Sequence, residues 1–419
     1  MNVELVTIGD ELLLGFTVDT NAAHVARELG AIGVSVSRRA TVGDDVAAIA
    51  DAVGQALERT GAVITTGGLG PTDDDRTREA VAHVFGRELR QDDRVAESLR
   101  ARWERRGLRG PMPESNLTQA MVPDGARVLE NRHGTAPGLW LEDGNGRWVA
   151  VLPGVPRELR GMVADTLVPG LARRAGAGTV VRCRTVRTTG LSESSVADRM
   201  RGVAIEHDGL TLAYLPGQEG LDLRLTVRGL PPGDADRLLD EGAVRLRELF
   251  GRHVYGEDDA DLAAVVLDAC RTRGLRIGVA ESCTGGLLGW RLTAPPGSSD
   301  VFEGGVIAYD NRVKTGLLDV PAEVIERDGA VSERSALAMA AGVRRRLGTD
   351  VGISITGVAG PGGGTEEKPV GTVWIAVDVL GDARALRANL VGDRAEIRWR
   401  AAQGALELLR RSLAGDDRA

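Results

Sequence analysis

The sequence predicts two three-layer α/β domains joined by a small α+β domain, and three observations predict it. Strand and helix patterns alternate βαβαβ over residues 3–66, a different pattern occupies roughly 180–255, and βα alternation resumes from Asp261. At 419 residues the chain also exceeds what one hydrophobic core usually supports. The expected divisions are 1–170, 171–256 and 257–419.

In the first domain, 3–8 reads as a buried strand and Gly9-Asp10-Glu11 as the turn after it. A helix over 21–29, a strand over 34–38, a helix over 45–58 and a strand over 62–66 follow. Such alternation gives a parallel sheet with helices on both faces, and ligands bind beyond the carboxyl ends of its strands. Two acidic loops fall at that edge: Gly9-Asp10-Glu11 and TGGLGPTDDD (66–75). Gly67, Gly68 and Gly70 let backbone N–H groups close on phosphate oxygens, and carboxylates beside them, Asp75 among them, suit Mg²⁺. The plainer alternative is an acid-rich N-cap on a helix over 76–85. The segment LPGVPRE (152–158) closes the domain near residue 170.

The middle segment reads as strand 180–188, helix 192–201, strands near Leu212 and over 223–227, and helix 234–250. It has no GXXG loop between two helices and no basic cluster, so RNA binding of the KH type is not expected. A spacer or dimerisation role is. Beyond it come a strand over 275–280, a helix beginning near Gly285, a strand over 305–309 and a helix carrying Lys314. A helix over 333–347, strands over 351–355 and 372–377, and a helix from Asp393 complete the third domain.

Composition excludes several classes. A formal net charge of -8 argues against wrapping nucleic acid, which needs a basic face. The N-terminus lacks a basic n-region and no apolar run reaches membrane-spanning length, so a cytoplasmic protein is expected. Three cysteines without a CxxC leave neither a disulfide framework nor a thiolate zinc site. Cys270 lies on an apolar helical stripe and Cys183 in a strand pattern; only Cys283 has neighbours that suggest chemistry.

Those neighbours are in GVAESCTGG (278–286), at a strand-to-helix junction. A serine or cysteine nucleophile needs a base, yet all five histidines precede Asp261. The chain holds only two lysines, Lys314 and Lys368, among 52 basic Lys and Arg residues. Arginine stays protonated, whereas a desolvated lysine can become a neutral base. Lys314 follows a strand end by about one helical turn, so it can reach the sheet edge of Ser282, with Tyr309 near enough to share the proton. The N–H groups after Ser282 would form an oxyanion hole at a helix N-terminus, and burial together with that same terminus would hold the lysine neutral. Simple N-capping by Ser282 is the competing reading. Lys368, in the acidic turn EEKP (366–369), is expected to be exposed.

At these residues the chain resembles a known family. AESCTGG (280–286), YDNRVK (309–314), SITGVAGPGGGTEEKPVGTVW (354–374) and GDR (392–394) resemble the C-terminal domain of the CinA family, the competence/damage-inducible proteins. TIGDELLLGFTVDTN (7–21) and TTGGLGPTDDDRT (65–77) are similar to its molybdopterin-binding-like N-terminal domain. The resemblance implies a nicotinamide mononucleotide amidohydrolase that needs no metal, with Ser282, Lys314 and Tyr309 catalytic. Thr284, Gly285, Gly286, Thr356, Gly357, Gly360 and Arg394 match its substrate-holding elements. For the N-terminal domain it implies an ADP-ribose pyrophosphatase using a divalent metal such as Mg²⁺ at Asp10 and Asp75. A homodimer acting on small nucleotides, with neither membrane nor nucleic acid as partner, is the implied assembly. Hydrolysis of a different amide, and a nucleotide-binding module that catalyses nothing, are the competing readings.

Overall fold

Strand β1 (Asn2–Ile8) buries every residue but its first, which suits a central strand covered on both faces. In the computed structural model, which describes residues 1–105, 110–175, 178–203, 205 and 209–415, it pairs in parallel with β2 (Ser35–Val42) and β3 (Ala62–Thr66). A short antiparallel ribbon, β4 (Leu89–Gln91) and β5 (Met121–Pro123), precedes β6 (Arg127–Leu129), β7 (Gly138–Glu142) and β8 (Trp148–Leu152). The sheet order is β2-β1-β3-β8-β7-β6. Strand β8 is parallel to β3, but β7 pairs antiparallel with both β8 and β6, so one reversed strand makes the sheet mixed rather than parallel throughout. The reason is local: Asp143 accepts from the N–H groups of Asn145 and Arg147 and ties a turn too tight for anything but a hairpin. Alternate residues of β1 enter different cores, Val3 and Leu5 on one face, Val6 and Ile8 on the other. The helices Thr20–Ala31 and Val46–Thr60, each capped by an aspartate (Asp19 and Asp45), contribute to those cores and make three layers.

A four-stranded sheet follows, with β9 (Val180–Thr188), β10 (Leu210–Pro216), β11 (Leu221–Leu230) and β12 (Val254–Glu257) in the order β10-β11-β9-β12. The third sheet comprises β13 (Ile277–Glu281), β14 (Phe302–Ile307), β15 (Val351–Gly357), β16 (Thr372–Val379) and β17 (Asp382–Asn389), in the order β14-β13-β15-β16-β17. Strand β13 is parallel to β14 and β15, while β16 and β17 add an antiparallel extension. Ile277, Val279, Ile353 and Ile355 pack with the helices Leu262–Thr272 and Arg394–Ala414, and Ala280 packs with Glu333–Leu347 on the other face. By contacts the chain divides into two compact units, Met1–Arg182 with Val227–Arg237, and Cys183–Thr226 with Leu238–Ala419. No described helix is long and apolar enough to cross a membrane.

Two boundaries differ from expectation near Ser282. The helix runs Leu287–Thr293 rather than from Gly285, because Gly285 and Gly286 take φ of 58° and 97° and form a left-handed turn first. Strand β14 ends at Ile307, leaving Ala308 and Tyr309 as a connector to the helix Asn311–Leu318.

Candidate active site

The carboxyl ends of β13, β14 and β15 converge, since Ser282 N–H donates to Ile355 O (2.9 Å) and Ala308 N–H to Glu281 O (2.7 Å). Ser282 and Lys314 meet at this edge. Lys314, on the helix capped by Asp310, is 1% exposed, and its side chain turns back to the strand ends. Its Nζ lies 2.7 Å from Ala308 O, 3.2 Å from Tyr309 O and 3.2 Å from Ser282 Oγ. The two carbonyls can only accept, so they take N–H groups. The third direction, toward Ser282, is an N–H in the ammonium and a lone pair in the amine. Burial lowers the lysine's pKa against opposing pulls from Cys283 and Asp310, which favours the amine. A serine hydroxyl facing a desolvated amine can act with it as a nucleophile and base in hydrogen-bond reach.

Cys283 belongs to the apolar core. Burial there pushes its thiol up to about 11. It is a packing residue, as is Cys270.

The turn between Ser282 and the following helix is held by opposite charges. The carboxylate of Glu281, 1% exposed, accepts from Gly286 N–H (3.0 Å), Leu288 N–H (3.1 Å) and Gly289 N–H (2.8 Å). Arg398 donates through Nη2 (2.6 Å) and Nε (3.3 Å) to the carbonyl of Thr284. Glu281 thus occupies the helix N-terminus expected to serve as an oxyanion hole and, together with burial, to hold the lysine neutral; of those two, burial is what lowers the lysine's pKa. Neither Cys283 N–H nor Thr284 N–H has an acceptor in another residue among the described residues, which leaves both as backbone donors of the turn. Glu281 and Arg398 were missed in the sequence, though each left a signal. Glu281 is the one charge in the buried strand Ile277–Glu281, and Arg398 lies four residues past Arg394 on one helix face.

The other expected residues divide. Arg394 donates to Gly360 O (2.5 Å) and to the phenol of Tyr309 (3.2 Å), bringing three of them together. The phenol, on a side chain 62% exposed, makes no hydrogen bond to Lys314 or Ser282; only the Tyr309 carbonyl does, so the expected proton relay has no geometric support. Thr356 Oγ1 donates to Ala330 O and Gly357 packs against Val373, so both shape the loop from behind. Lys368 is half-buried rather than exposed, because its amine donates to the carbonyl of Asp328 (2.8 Å) at the end of the helix Ala322–Asp328.

In the N-terminal domain Gly67, Gly68, Gly70 and Asp75 line a cavity of about 380 Å³ at the sheet's carboxyl edge. Gly67 takes φ 109°, and a Cβ there would fall 2.2 Å from Ile8 O, so only glycine fits. Arg78, 4% exposed beneath the loop, donates to the carbonyls of Leu69 and Gly70, and burial pulls its guanidinium down to about 10. The cavity also takes Glu11, from the first of the two acidic loops expected at this edge, and Asp44 and Glu158, neither of which was expected there. Gln119 joins them, 3% exposed and with an Oε1 that has no hydrogen-bond partner among the described residues.

Three family models match the chain in succession: "Probable molybdopterin binding domain" over 4–173, "Damage-inducible protein CinA KH domain" over 183–256 and "CinA C-terminal domain" over 259–413. A CinA-like protein of Gemmatimonas aurantiaca is 60% identical over 421 residues, covering 100% of this chain and 98% of that one. The chain belongs to the CinA family. A CinA-like protein of Salinibacter ruber is 42% identical over 414 residues, covering 99% and 100%. Among solved structures, a competence/damage inducible protein of Agrobacterium tumefaciens is 39% identical, covering 36% of this chain and 93% of that one, with a TM-score of 0.36. The match over 183–256 revises the reading of the middle domain, whose expected departure from the KH type rested on the missing GXXG between two helices and the missing basic cluster. A GQEG does occur at 217–220, between β10 and β11 rather than between helices.

The divalent metal that CinA resemblance implies for the N-terminal domain finds no ready ligands at Asp10 and Asp75. Both oxygens of Asp75 are engaged within its own loop, accepting from Gly70 N–H (2.7 Å), Thr72 N–H (2.9 Å) and Thr72 Oγ1 (2.5 Å). Asp75 ties the glycine loop rather than capping the helix Thr77–Val84, whose N-cap is Arg76. Asp10 is not on the cavity wall; its N–H donates to Asp44 Oδ2 (3.0 Å). Burial, with Asp10, Glu11 and Asp74 nearby, raises the carboxyl of Asp44. Among the described residues no three acid, histidine or cysteine side chains converge as a metal site, so no step is routed through one.

Proposed function

We propose that the C-terminal domain is an amidohydrolase using a serine-lysine pair, with nicotinamide mononucleotide as its substrate. The observation that carries the reaction class is the buried amine of Lys314, 3.2 Å from Ser282 Oγ. Ser282 Oγ attacks the carboxamide carbon while its proton passes to Lys314 Nζ. As the tetrahedral intermediate collapses, Lys314 returns that proton to the departing nitrogen, the C–N bond breaks and ammonia leaves an acyl-serine. Water, deprotonated by the same amine, then releases the acid, nicotinic acid mononucleotide, and restores the serine. The N–H groups of Cys283 and Thr284 are the donors available to the oxyanion. The choice of nucleotide rests on the motifs AESCTGG, YDNRVK and GDR, and on Arg394, an exposed guanidinium at the rim suited to a phosphate. For the N-terminal domain the glycine-lined cavity supports nucleotide binding, with ADP-ribose hydrolysis the activity that the family resemblance suggests.

The test of the substrate is ammonia release from nicotinamide mononucleotide by the purified chain in the presence of EDTA. Turnover lost in Ser282→Ala is the expected result. Absence of turnover in the wild type would remove this substrate, and turnover that survives in Ser282→Ala would remove the mechanism.

A further inference from the structure

Lys368, the other of the chain's two lysines, lies outside the serine-lysine pair, in the segment 358–371 that joins β15 to β16. That segment begins just beyond Ile355, whose carbonyl accepts from Ser282 N–H, so it leaves the sheet beside the catalytic pair. Every residue from 361 to 370 is exposed except Lys368. The cause is where its amine goes. A turn over 365–368, closed by Thr365 N–H to Lys368 O (3.0 Å) and Lys368 N–H to Thr365 Oγ1 (3.1 Å), presents the side chain to the end of the helix Ala322–Asp328. There Nζ donates to Asp328 O (2.8 Å). Gly329 makes the room: it takes φ 82°, and a Cβ on it would come 3.0 Å from Lys368 Nζ.

The same stretch, 328–330, is gripped from the start of the segment, where Thr356 Oγ1 donates to Ala330 O (2.8 Å). The two ties are unequal. Thr356 belongs to β15, which the sheet holds in any case, whereas the exposed tip has one other side-chain tie among the described residues, Arg387 Nη2 to Glu367 O (3.2 Å). Between the ties stands Gly360-Pro361-Gly362-Gly363-Gly364. Gly360 O accepts from Arg394, the guanidinium assigned above to the substrate's phosphate. The N–H groups of Gly362, Gly363 and Gly364 have no acceptor among the described residues. Successive backbone N–H groups suit an anion, but a glycine run has little shape of its own and must be held in one.

We propose that Lys368 is a positioning residue for substrate binding: by pinning the turn 365–368 to Asp328, it holds the glycine run beside Arg394 so that both engage the substrate's phosphate. The ligand in this inference rests on the nicotinamide mononucleotide reading; the tie does not. The lysine thus acts on affinity and not on proton transfer.

The test compares full-length wild type, Lys368→Met and Gly329→Ala by amide hydrogen exchange and by ammonia release. Without substrate, exchange over 359–371 should be faster in both variants than in the wild type. KM for nicotinamide mononucleotide should rise about tenfold, as loss of one charge-assisted bond implies, while kcat stays within about twofold. Nicotinamide riboside, which lacks the phosphate, should lose little in kcat/KM. Lys368→Arg, which can donate to the same carbonyl, should recover part of the affinity, and the Lys368→Met/Gly329→Ala double variant should be no worse than either alone. Unaltered exchange in Lys368→Met overturns the tie. Faster exchange with an unaltered KM, or an equal loss with the riboside, overturns the role in phosphate binding. A wild type that releases no ammonia from the nucleotide removes the substrate instead, and the substrate-free exchange still decides whether Lys368 holds the loop.

Discussion

Lys314 is one of two lysines in a chain that otherwise uses arginine, and it is 1% exposed. Its lowered pKa has a stability consequence whose sign is definite. The unfolded chain holds the lysine's proton up to about 10.4, and the folded chain releases it earlier, so between those values the unfolded state binds more protons. Stability therefore rises with pH across that window. Denaturation of wild type and Lys314→Met at neutral and alkaline pH should show the wild type gaining on the variant as pH rises; a constant gap would mean the amine is not desolvated. Cys283→Ala should keep most amide hydrolysis, because the thiol is held protonated in the core, whereas Ser282→Ala should abolish it. Ser282 and Lys314 were legible because the sequence leaves no histidine in that domain to serve as base. The phenol of Tyr309 and the amine of Lys368 were not. Where a long side chain finds its partner, here Arg394 and Asp328 O, depends on tertiary neighbours that no local pattern encodes.

At the scale of the element, the serine turn depends on Glu281 and Arg398. Glu281→Gln replaces an acceptor of three N–H groups by an amide whose nitrogen must face donors. A loss of about 2–3 kcal/mol of unfolding free energy is expected from denaturant titration. Arg398→Ala releases the Thr284 carbonyl, so kcat should fall with KM little changed, and Arg398→Lys should restore part of it; an unaltered kcat would show that the turn holds itself. In the N-terminal domain Asp75→Ala frees the loop 67–75, and the ADP-ribose hydrolysis proposed for that cavity should be lost through disorder of the glycines. Full activity in that variant would reduce Asp75 to a dispensable tie. The central strands and the capped helices were legible, since buried apolar runs and N-cap aspartates are local signals. The hairpin β7–β8 and the edge strand β17 were not. Strand β17, DARALRAN, carries charges and exposed positions throughout, and its pairing with β16 is what makes it a strand.

On the scale of the whole molecule, the acidic cavity at Asp44, Asp74 and Glu158 and the Ser282 site lie in separate compact units. Sites without shared partners act independently, so Ser282→Ala should leave ADP-ribose hydrolysis intact and Asp75→Ala should leave ammonia release intact. Cross-loss in either variant would mean that the two units are coupled. The central claim, that Lys314 is the base for Ser282, is tested most directly by kcat against pH for wild type and Lys314→Arg with nicotinamide mononucleotide. The wild-type rate should rise with pH through a limb below the ordinary lysine value, as the amine loses its proton. Lys314→Arg keeps the charge but cannot deprotonate, so kcat should drop by about 10²–10⁴ with KM little altered and the limb gone. An active Lys314→Arg enzyme with an unchanged profile would contradict the account and send the serine's proton to another acceptor.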